Sequence, residues 1–159
     1  MTQVEKAMFG AGCFWGVQSS FDKVKGVVRT SAGYSGGHTR NPSYEEVCSG
    51  KTGHAEVVLV EYDPSKVSYR DLLIHLFKMH DPTTKDRQGF DFGKQYRSSI
   101  MYFDEKQKEE AKAIIKDLEK GKAFRRPIVT EVVPAGSFYR AEQYHQKYHE
   151  KHGLAGCHV

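Results

Sequence analysis

Cysteine is scarce in this chain, and the placement of its three thiols argues against the structural uses of the residue. Cys13, Cys48 and Cys157 cannot all pair with one another, because their number is odd. They also lack the Cys-x-x-Cys spacing of zinc sites and of thioredoxin-like motifs. In a reducing compartment we expect free thiols, and any disulfide among them is expected to be transient and catalytic.

Long apolar runs and a strong charge imbalance are absent as well. No apolar run approaches the roughly 20 residues that span a bilayer, and Met-Thr-Gln-Val-Glu-Lys is not the start of a signal peptide. The net charge is only +4, with basic residues interspersed among acidic ones. We therefore expect a soluble, cytoplasmic monomer that binds neither nucleic acid nor membranes.

The composition is sufficient for one packed domain. The chain has 159 residues, of which 38% are hydrophobic, including 9 Phe and 9 Tyr. Periodicity and capping signals predict strands at 7–11, 27–34, 55–62, 97–103 and 128–133, and helices at 15–25, 43–50, 68–79, 105–120 and 141–152. A polar loop is predicted from 80 to 95, and residues 153–159 form a tail. This alternation predicts a two-layer α/β or α+β domain.

The stretch Gly-Ala-Gly-Cys-Phe-Trp-Gly at 10–16 places a thiol between glycines and two large aromatic rings. Cys13 lies where the first strand turns into a helix, and a helix N-terminus favours a thiolate. A lone cysteine is more often a small buried core residue. The surrounding glycines and aromatics favour a nucleophile here. Phe14 and Trp15 either line a pocket for a small apolar group or belong to the core.

The strand Ala-Glu-Val-Val-Leu-Val-Glu-Tyr at 55–62 contains a carboxylate in an unusual setting. Glu56 shares one face of the strand with Val58, Val60 and Tyr62. Burial against such a wall raises a carboxyl pKa, so that a protonated Glu56 can act as an acid near neutral pH. Spacing alone leaves open that Glu56 points to water at the end of the strand.

Five motifs in order along the chain resemble those of the A-type peptide methionine sulfoxide reductases. They are Gly-Cys-Phe-Trp-Gly (12–16), Gly-Tyr-Ser-Gly-Gly (33–37), Tyr-Glu-Glu-Val-Cys-Ser-Gly-Lys-Thr-Gly-His-Ala-Glu (44–56), His-Asp-Pro-Thr (80–83) and Gln-Tyr-Arg-Ser (95–98). The similarity extends over residues 6–149. It implies one catalytic domain over 1–159 that reduces the S-epimer of methionine sulfoxide, free or in proteins. The predicted fold is an α+β two-layer sandwich, with a mixed sheet, flanking helices, a ferredoxin-like core and a mobile C-terminal tail.

The resemblance also implies roles for individual residues. Cys13 attacks the sulfoxide sulfur, and Glu56 protonates its oxygen. Phe14 and Trp15 hold the substrate methyl group. Tyr44 and Tyr96 hydrogen-bond the sulfoxide oxygen, and Asp91 is a carboxylate that supports the site. From the residues alone, the tyrosines could equally serve packing and the aspartate a turn.

The two other cysteines differ in how far they can move. Cys157 follows Gly153-Leu-Ala-Gly156, and five residues beyond His152 span about 17 Å at 3.3–3.6 Å per residue. Cys48 lies in a short helix that holds it nearly fixed. The hypothesis is that Cys157 resolves the sulfenic acid on Cys13 and that Cys48 is structural. The family resemblance implies recycling by thioredoxin, or by dithiothreitol in vitro, with no bound cofactor or metal.

Three rival interpretations remain open at this point. Glu142, His145, His149 and His152 on one face of a helix suggest a metal-binding module, but a single Glu-x-x-His without a cysteine at zinc spacing more often forms a solvated or packing face. The basic, tyrosine-rich stretch 139–151 is compatible with stacking on nucleic-acid bases. A thiol enzyme that reduces peroxide is the nearest catalytic alternative.

Overall fold

A computed structural model describes residues 3–152 of the chain. Its strands are β1 (Glu5–Ala11), β2 (Val27–Ser35), β3 (Ala55–Tyr62), β4 (Arg87–Gln88), β5 (Asp91–Phe92), β6 (Ser98–Tyr102), β7 (Glu131–Pro134) and β8 (Tyr139–Arg140). Its helices are α1 (Phe14–Asp22), α2 (Tyr44–Cys48), α3 (Tyr69–Met79), α4 (Glu105–Lys120) and α5 (Tyr148–Lys151).

The main sheet has the strand order β7-β6-β1-β3-β2-β8. All neighbouring pairs are antiparallel except β6 and β7, so the sheet is mixed. The inner four strands, together with α1 and α3, have the β-α-β-β-α-β order of a ferredoxin-like unit. The predicted α+β class, with a mixed sheet and flanking helices, is confirmed.

Local sequence signals explain where the helices begin. The Ser43 and Ser68 side chains accept from the backbone N–H groups of Glu46 and Asp71, whose carboxylates bond back to the serine N–H groups. These reciprocal capping boxes fix the starts of α2 and α3. The N-terminus of α4 is capped by Asp104 alone, which accepts from the Gln107 N–H.

The larger core lies between the helices and one face of the sheet, and strand alternation decides which residues enter it. On β3, the side chains of Val58, Val60 and Tyr62 belong to this core, whereas Ala55 and Val57 belong to a smaller cluster on the opposite face. Glu56 shares the face of the larger core and is 1% exposed. The predicted apolar wall beside its carboxylate is therefore present.

The prediction of a continuous helix over 141–152 is wrong. A 3₁₀ turn covers Gln143–His145, Lys147 adopts left-handed φ and ψ angles of 58° and 37°, and helix forms only in α5. The Gln146 amide explains the break, because it exchanges hydrogen bonds of 2.9 Å with both the N–H and the carbonyl of Ala32 on β2. These tertiary bonds override the local helical pattern.

Smaller departures occur elsewhere. The loop from 80 to 95 contains the two-stranded hairpin β4–β5, which is followed by a 3₁₀ turn at Lys94–Tyr96. Strand β7 begins at Glu131 instead of 128, and α1 ends at Asp22 instead of Lys25. Across residues 3–152, none of the helices combines the length and apolar character needed to cross a membrane.

Candidate active site

Two glycines explain how Cys13 reaches its position after β1. A Cβ atom on Gly10 would lie 3.2 Å from the Arg97 carbonyl oxygen and 3.3 Å from that of Glu56, so glycine lets β1 approach its neighbours closely. Gly12 has a φ of 90°, a conformation that side chains resist. The chain then turns, and Cys13 becomes the N-cap residue of α1, with its side chain half-buried.

Glu56 lies beside this turn and is tied to it directly. The Phe14 backbone N–H donates to Glu56 Oε1 at 3.1 Å. Glu56 Oε2 is buried and has no hydrogen-bond partner among the described residues. Burial, opposed by the Phe14 hydrogen bond and assisted by the charge of Asp91, raises the pKa of Glu56 to about 8. The carboxyl therefore holds its proton at neutral pH and has one oxygen free to donate it.

The expected stabilisation of a Cys13 thiolate is outweighed. Burial and the negative charge of Glu56 raise the pKa of the thiol to about 12, although the nearby backbone N–H groups of Trp15 and Gly16 act to lower it. The helix N-terminus acts in the predicted direction, but desolvation is the larger effect. Cys13 is thus a neutral thiol in the resting protein. Its activation depends on which of the neighbouring carboxyl groups, Glu56 and Asp91, carry a proton.

An aromatic cluster covers one side of the turn. The Trp15 ring stacks on Tyr148 with centroids 3.7 Å apart and planes 9° from parallel. Its indole Nε1–H donates to His145 Nδ1 at 2.9 Å. Phe14 is fully buried, and its ring lies 5.2 Å from that of His145. Both predicted aromatic residues are therefore held rigidly next to Cys13.

The hydrogen bond from Trp15 determines the tautomer of His145. Indole N–H is only a donor, so Nδ1 accepts, and the proton of the neutral ring is on Nε2. Burial lowers the pKa of His145 below its usual range, which keeps the ring neutral. Nε2 is buried without a partner among residues 3–152. The sequence interpretation considered His145 as a metal ligand or as part of a solvated or packing face, whereas here it orients Trp15.

Glu142 connects two elements on the other side of the site. Its Oε1 accepts from the Tyr34 hydroxyl at 2.9 Å, and its Oε2 accepts from the Tyr44 N–H at 3.0 Å. Burial opposes ionisation of this carboxyl, but the hydrogen bonds from Tyr44 and Tyr34 prevail and hold its pKa below the usual value. An ionised Glu142 thus anchors the start of α2, which carries Tyr44.

The three remaining predicted polar residues surround the Cys13–Glu56 pair. Asp91, on β5, is near enough for its charge to raise the pKa of both groups. Tyr96 ends the 3₁₀ turn after the hairpin, and burial together with the Glu56 charge raises its pKa. Burial also raises the pKa of Tyr44, and the neighbouring Cys48 side chain raises it further.

The structure therefore brings together seven of the eight predicted residues of the site, and it adds Cys48 at the margin. Cys48 is exposed as a residue. Partial burial of its thiol is the main cause that raises its pKa, and the charge of Glu56 raises it further. Cys157 lies outside the described residues. His145, Glu142 and Tyr34 were missed as site residues, and the signal for the first two was the Glu-x-x-His pattern that suggested a metal.

The metal interpretation loses its geometric basis. The residues that were to share one helical face are separated by the left-handed turn at Lys147. No group of three or more His, Cys, Asp or Glu side chains in residues 3–152 is arranged to hold a metal ion. Within the stretch 139–151 on which the nucleic-acid interpretation rests, the Tyr148 ring is already stacked on Trp15.

Comparison with known proteins decides among the remaining classes. A family model for peptide methionine sulfoxide reductase matches residues 5–159. A peptide methionine sulfoxide reductase MsrA of Methanosarcina acetivorans is 59% identical over 151 residues, which cover 95% of this chain and 80% of that protein. The chain belongs to the peptide methionine sulfoxide reductase family. It is an oxidoreductase, and its reaction is the thiol-dependent reduction of methionine sulfoxide.

Solved structures agree with this assignment. Methionine sulfoxide reductase A of Corynebacterium diphtheriae superposes with a TM-score of 0.83 at 39% identity, covering 95% of this chain and 76% of its own. Mxr1 of Saccharomyces cerevisiae in reduced form gives 0.90 at 32% identity, covering 99% and 92%. Mxr1 in complex with Trx2 shares the fold, with 0.66 at 24% identity over 92% and 85%. The sequence-based recognition of the family is confirmed.

Proposed function

We propose that this reductase acts on the S-epimer of methionine sulfoxide, free or in proteins, with Cys13 as nucleophile and Glu56 as acid. One observation carries the assignment of the pair. The buried Glu56 carboxyl, with a pKa of about 8, accepts a hydrogen bond from the residue that follows Cys13 and keeps its second oxygen free. A protonated donor thus lies next to the thiol. This is what a sulfoxide oxygen requires before it can leave sulfur.

In the first step the Cys13 sulfur attacks the sulfoxide sulfur while Glu56 protonates the oxygen. The attack forms a sulfur–sulfur bond, which then breaks as the protonated oxygen leaves the substrate sulfur and bonds to the Cys13 sulfur. Methionine leaves reduced, and Cys13 is oxidised to a sulfenic acid. The thiol proton returns to Glu56, so that thiol and sulfoxide together yield sulfenic acid and methionine, with no proton gained or lost.

The neighbouring residues bind and orient the substrate. Phe14 and Trp15 offer an apolar surface to the methyl group on the substrate sulfur. Tyr44 and Tyr96 keep their protons at physiological pH, because burial raises the pKa of both. They therefore remain donors for the sulfoxide oxygen. Asp91 supports the site by raising the pKa of Glu56, so that more of that carboxyl is protonated.

In the second step another thiol displaces water from the sulfenic acid to form a disulfide, which an external dithiol then exchanges away. We assign this resolving thiol to Cys157 and the external dithiol to thioredoxin. A complex of Mxr1 with Trx2 supports a thioredoxin partner for this fold. Cys48 is the competing candidate, because it adjoins Tyr44.

The test measures dithiothreitol-dependent reduction of the S and R epimers separately, in the wild type and in Cys13→Ser and Glu56→Gln. We expect turnover of the S epimer alone and no turnover in Cys13→Ser, because a serine hydroxyl lacks the intrinsic nucleophilicity of the cysteine sulfur. Glu56→Gln should lose about 10²–10⁴-fold in rate, the usual contribution of an acid catalyst. Activity retained by Cys13→Ser, or rapid peroxide consumption without sulfoxide reduction, would overturn the proposal.

A further inference from the structure

The hairpin β4–β5 exposes two phenylalanines, one on each side of Asp91 in the sequence. Phe90 is 91% exposed and Phe92 is 64% exposed. The other exposed aromatic side chains in residues 3–152 are Phe103 and Tyr144. Neighbouring apolar side chains of this size that face solvent often mark an interaction surface. We refer to Phe90 and Phe92 together as the aromatic rim.

The exposure of the aromatic rim results from a hairpin that is held in place. Gln88 is 2% exposed, and its amide forms two hydrogen bonds of 2.8 Å, one to the N–H and one to the carbonyl of Asp81. The Gly93 N–H closes the hairpin on the Asp86 carbonyl at 2.8 Å. The Arg87 guanidinium lies over the Phe92 ring, 4.8 Å from its centroid. A fixed backbone presents the two rings to solvent.

The aromatic rim adjoins the reacting groups through Asp91. The 3₁₀ turn Lys94–Tyr96 lies against both β3, which carries Glu56, and β4 of the hairpin. The charge of Asp91 also acts on both Cys13 and Glu56, so the hairpin lies at the margin of the site. Phe90 and Phe92 are its immediate neighbours, with Cα atoms about 3.8 Å from that of Asp91. An extended polypeptide advances about 3.3 Å per residue. Residues two or three positions from a bound sulfoxide are therefore about 7–10 Å away, far enough to reach the margin of the site.

We propose that the aromatic rim contacts apolar side chains two or three residues from the sulfoxide in a polypeptide substrate. This inference rests on the proposed function and names the substrate class that the site favours. Methionine is among the residues most often buried, and its sequence neighbours in a core segment include apolar ones. Oxidation to the sulfoxide disrupts such cores and exposes these segments. The rim selects oxidised, locally unfolded segments with apolar residues beside the sulfoxide over free methionine sulfoxide.

The experiment compares three substrates with dithiothreitol as reductant. Two are heptapeptides with a central methionine S-sulfoxide, bearing leucine or serine at the second and third positions on each side. The third is N-acetylmethionine S-sulfoxide. We expect the wild type to prefer the leucine peptide over the serine peptide by about tenfold in kcat/KM, the size of one good aromatic contact. The Phe90→Ser/Phe92→Ser variant should lose this preference and retain its rate on N-acetylmethionine S-sulfoxide.

Phe103→Ser is the matched control, because Phe103 is 45% exposed and lies outside the site. Ser98 of β6 pairs with Ala11, close to Cys13. Phe103 follows Ser98 by five residues, which corresponds to about 16 Å along an extended strand. This variant should keep the wild-type preference. An unchanged preference in the double variant would overturn the inference. The assay is repeated with thioredoxin as reductant. If the double variant differed from the wild type only in that assay, the inference would also be overturned, since the rim would then bind the reductant. If the wild type showed no activity on any of the three substrates, the proposed function itself would be refuted.

Discussion

Replacing Glu56 by glutamine should stabilise the protein, and the gain should depend on pH. Between pH 4.5 and about 8 the folded state holds a proton on Glu56 that the unfolded state releases. The stability of the wild type therefore declines as pH rises through this window, and the loss is complete above the folded-state pKa. The substituted glutamine has no charge to bury, and its side-chain carbonyl can still accept from the Phe14 N–H.

The magnitude follows from the shift itself. A rise in pKa from 4.5 to about 8 corresponds to about 3–5 kcal/mol, at 1.36 kcal/mol per unit. At pH 5 the folded-state carboxyl of Glu56 is protonated, and pH is only half a unit above the unfolded-state pKa of 4.5, so the wild type has lost less than about 1 kcal/mol and the two proteins should differ little. At pH 9 the wild type bears the full cost of a buried charge, and the variant should be more stable by about 3–5 kcal/mol.

Urea unfolding under reducing conditions measures this difference, with the fluorescence of the single tryptophan, Trp15, as the signal. Free energies of unfolding are compared at pH 5, 7 and 9. Any constant effect of the amide cancels, because the substituted glutamine does not titrate. An offset between the two proteins that is the same at pH 5 and pH 9 would show that Glu56 is hydrated in the folded state, and the reasoning on its role as an acid would fail.

Two further predictions concern the thiols and the aromatic cluster. With thioredoxin, Cys157→Ser should release about one methionine per enzyme and then stall, whereas Cys48→Ser should continue to turn over. Peptide mapping after one turnover should find Cys13 joined to Cys157, and a Cys13–Cys48 bond would reverse the assignment. His145→Phe keeps the ring but removes the acceptor for Trp15, so KM should rise about 3–10-fold, the value of one hydrogen bond, with kcat less affected. An unchanged KM would show that stacking on Tyr148 alone positions the indole.

Features set by short-range patterns could be predicted from the sequence. Alternation along β3 placed Glu56 on the apolar face, and the Ser-x-x-Glu pattern at 43–46 marked the start of α2. The break in the helix predicted for 141–152 depends on Gln146 reaching a strand more than 100 positions earlier. Likewise, the role of His145 follows from a bond to Trp15, 130 positions away. Local periodicity carries no information on either contact.

The same limit explains the error for Cys13 and leads to a last prediction. A helix N-terminus is visible in the sequence, but the charge of Glu56 and the burial of the thiol are not. Both raise the pKa of Cys13; burial is the largest cause, and the charge of Glu56 is the second largest. Glu56→Gln should therefore lower this pKa and speed alkylation of Cys13 by iodoacetamide, measured in a background in which Cys48 and Cys157 are serine. The acceleration should be small at pH 7, where Glu56 is mostly protonated, and should grow by pH 9, where it is ionised. Equal alkylation rates at pH 9 would mean that burial alone keeps Cys13 protonated, and that the acid and the nucleophile titrate independently.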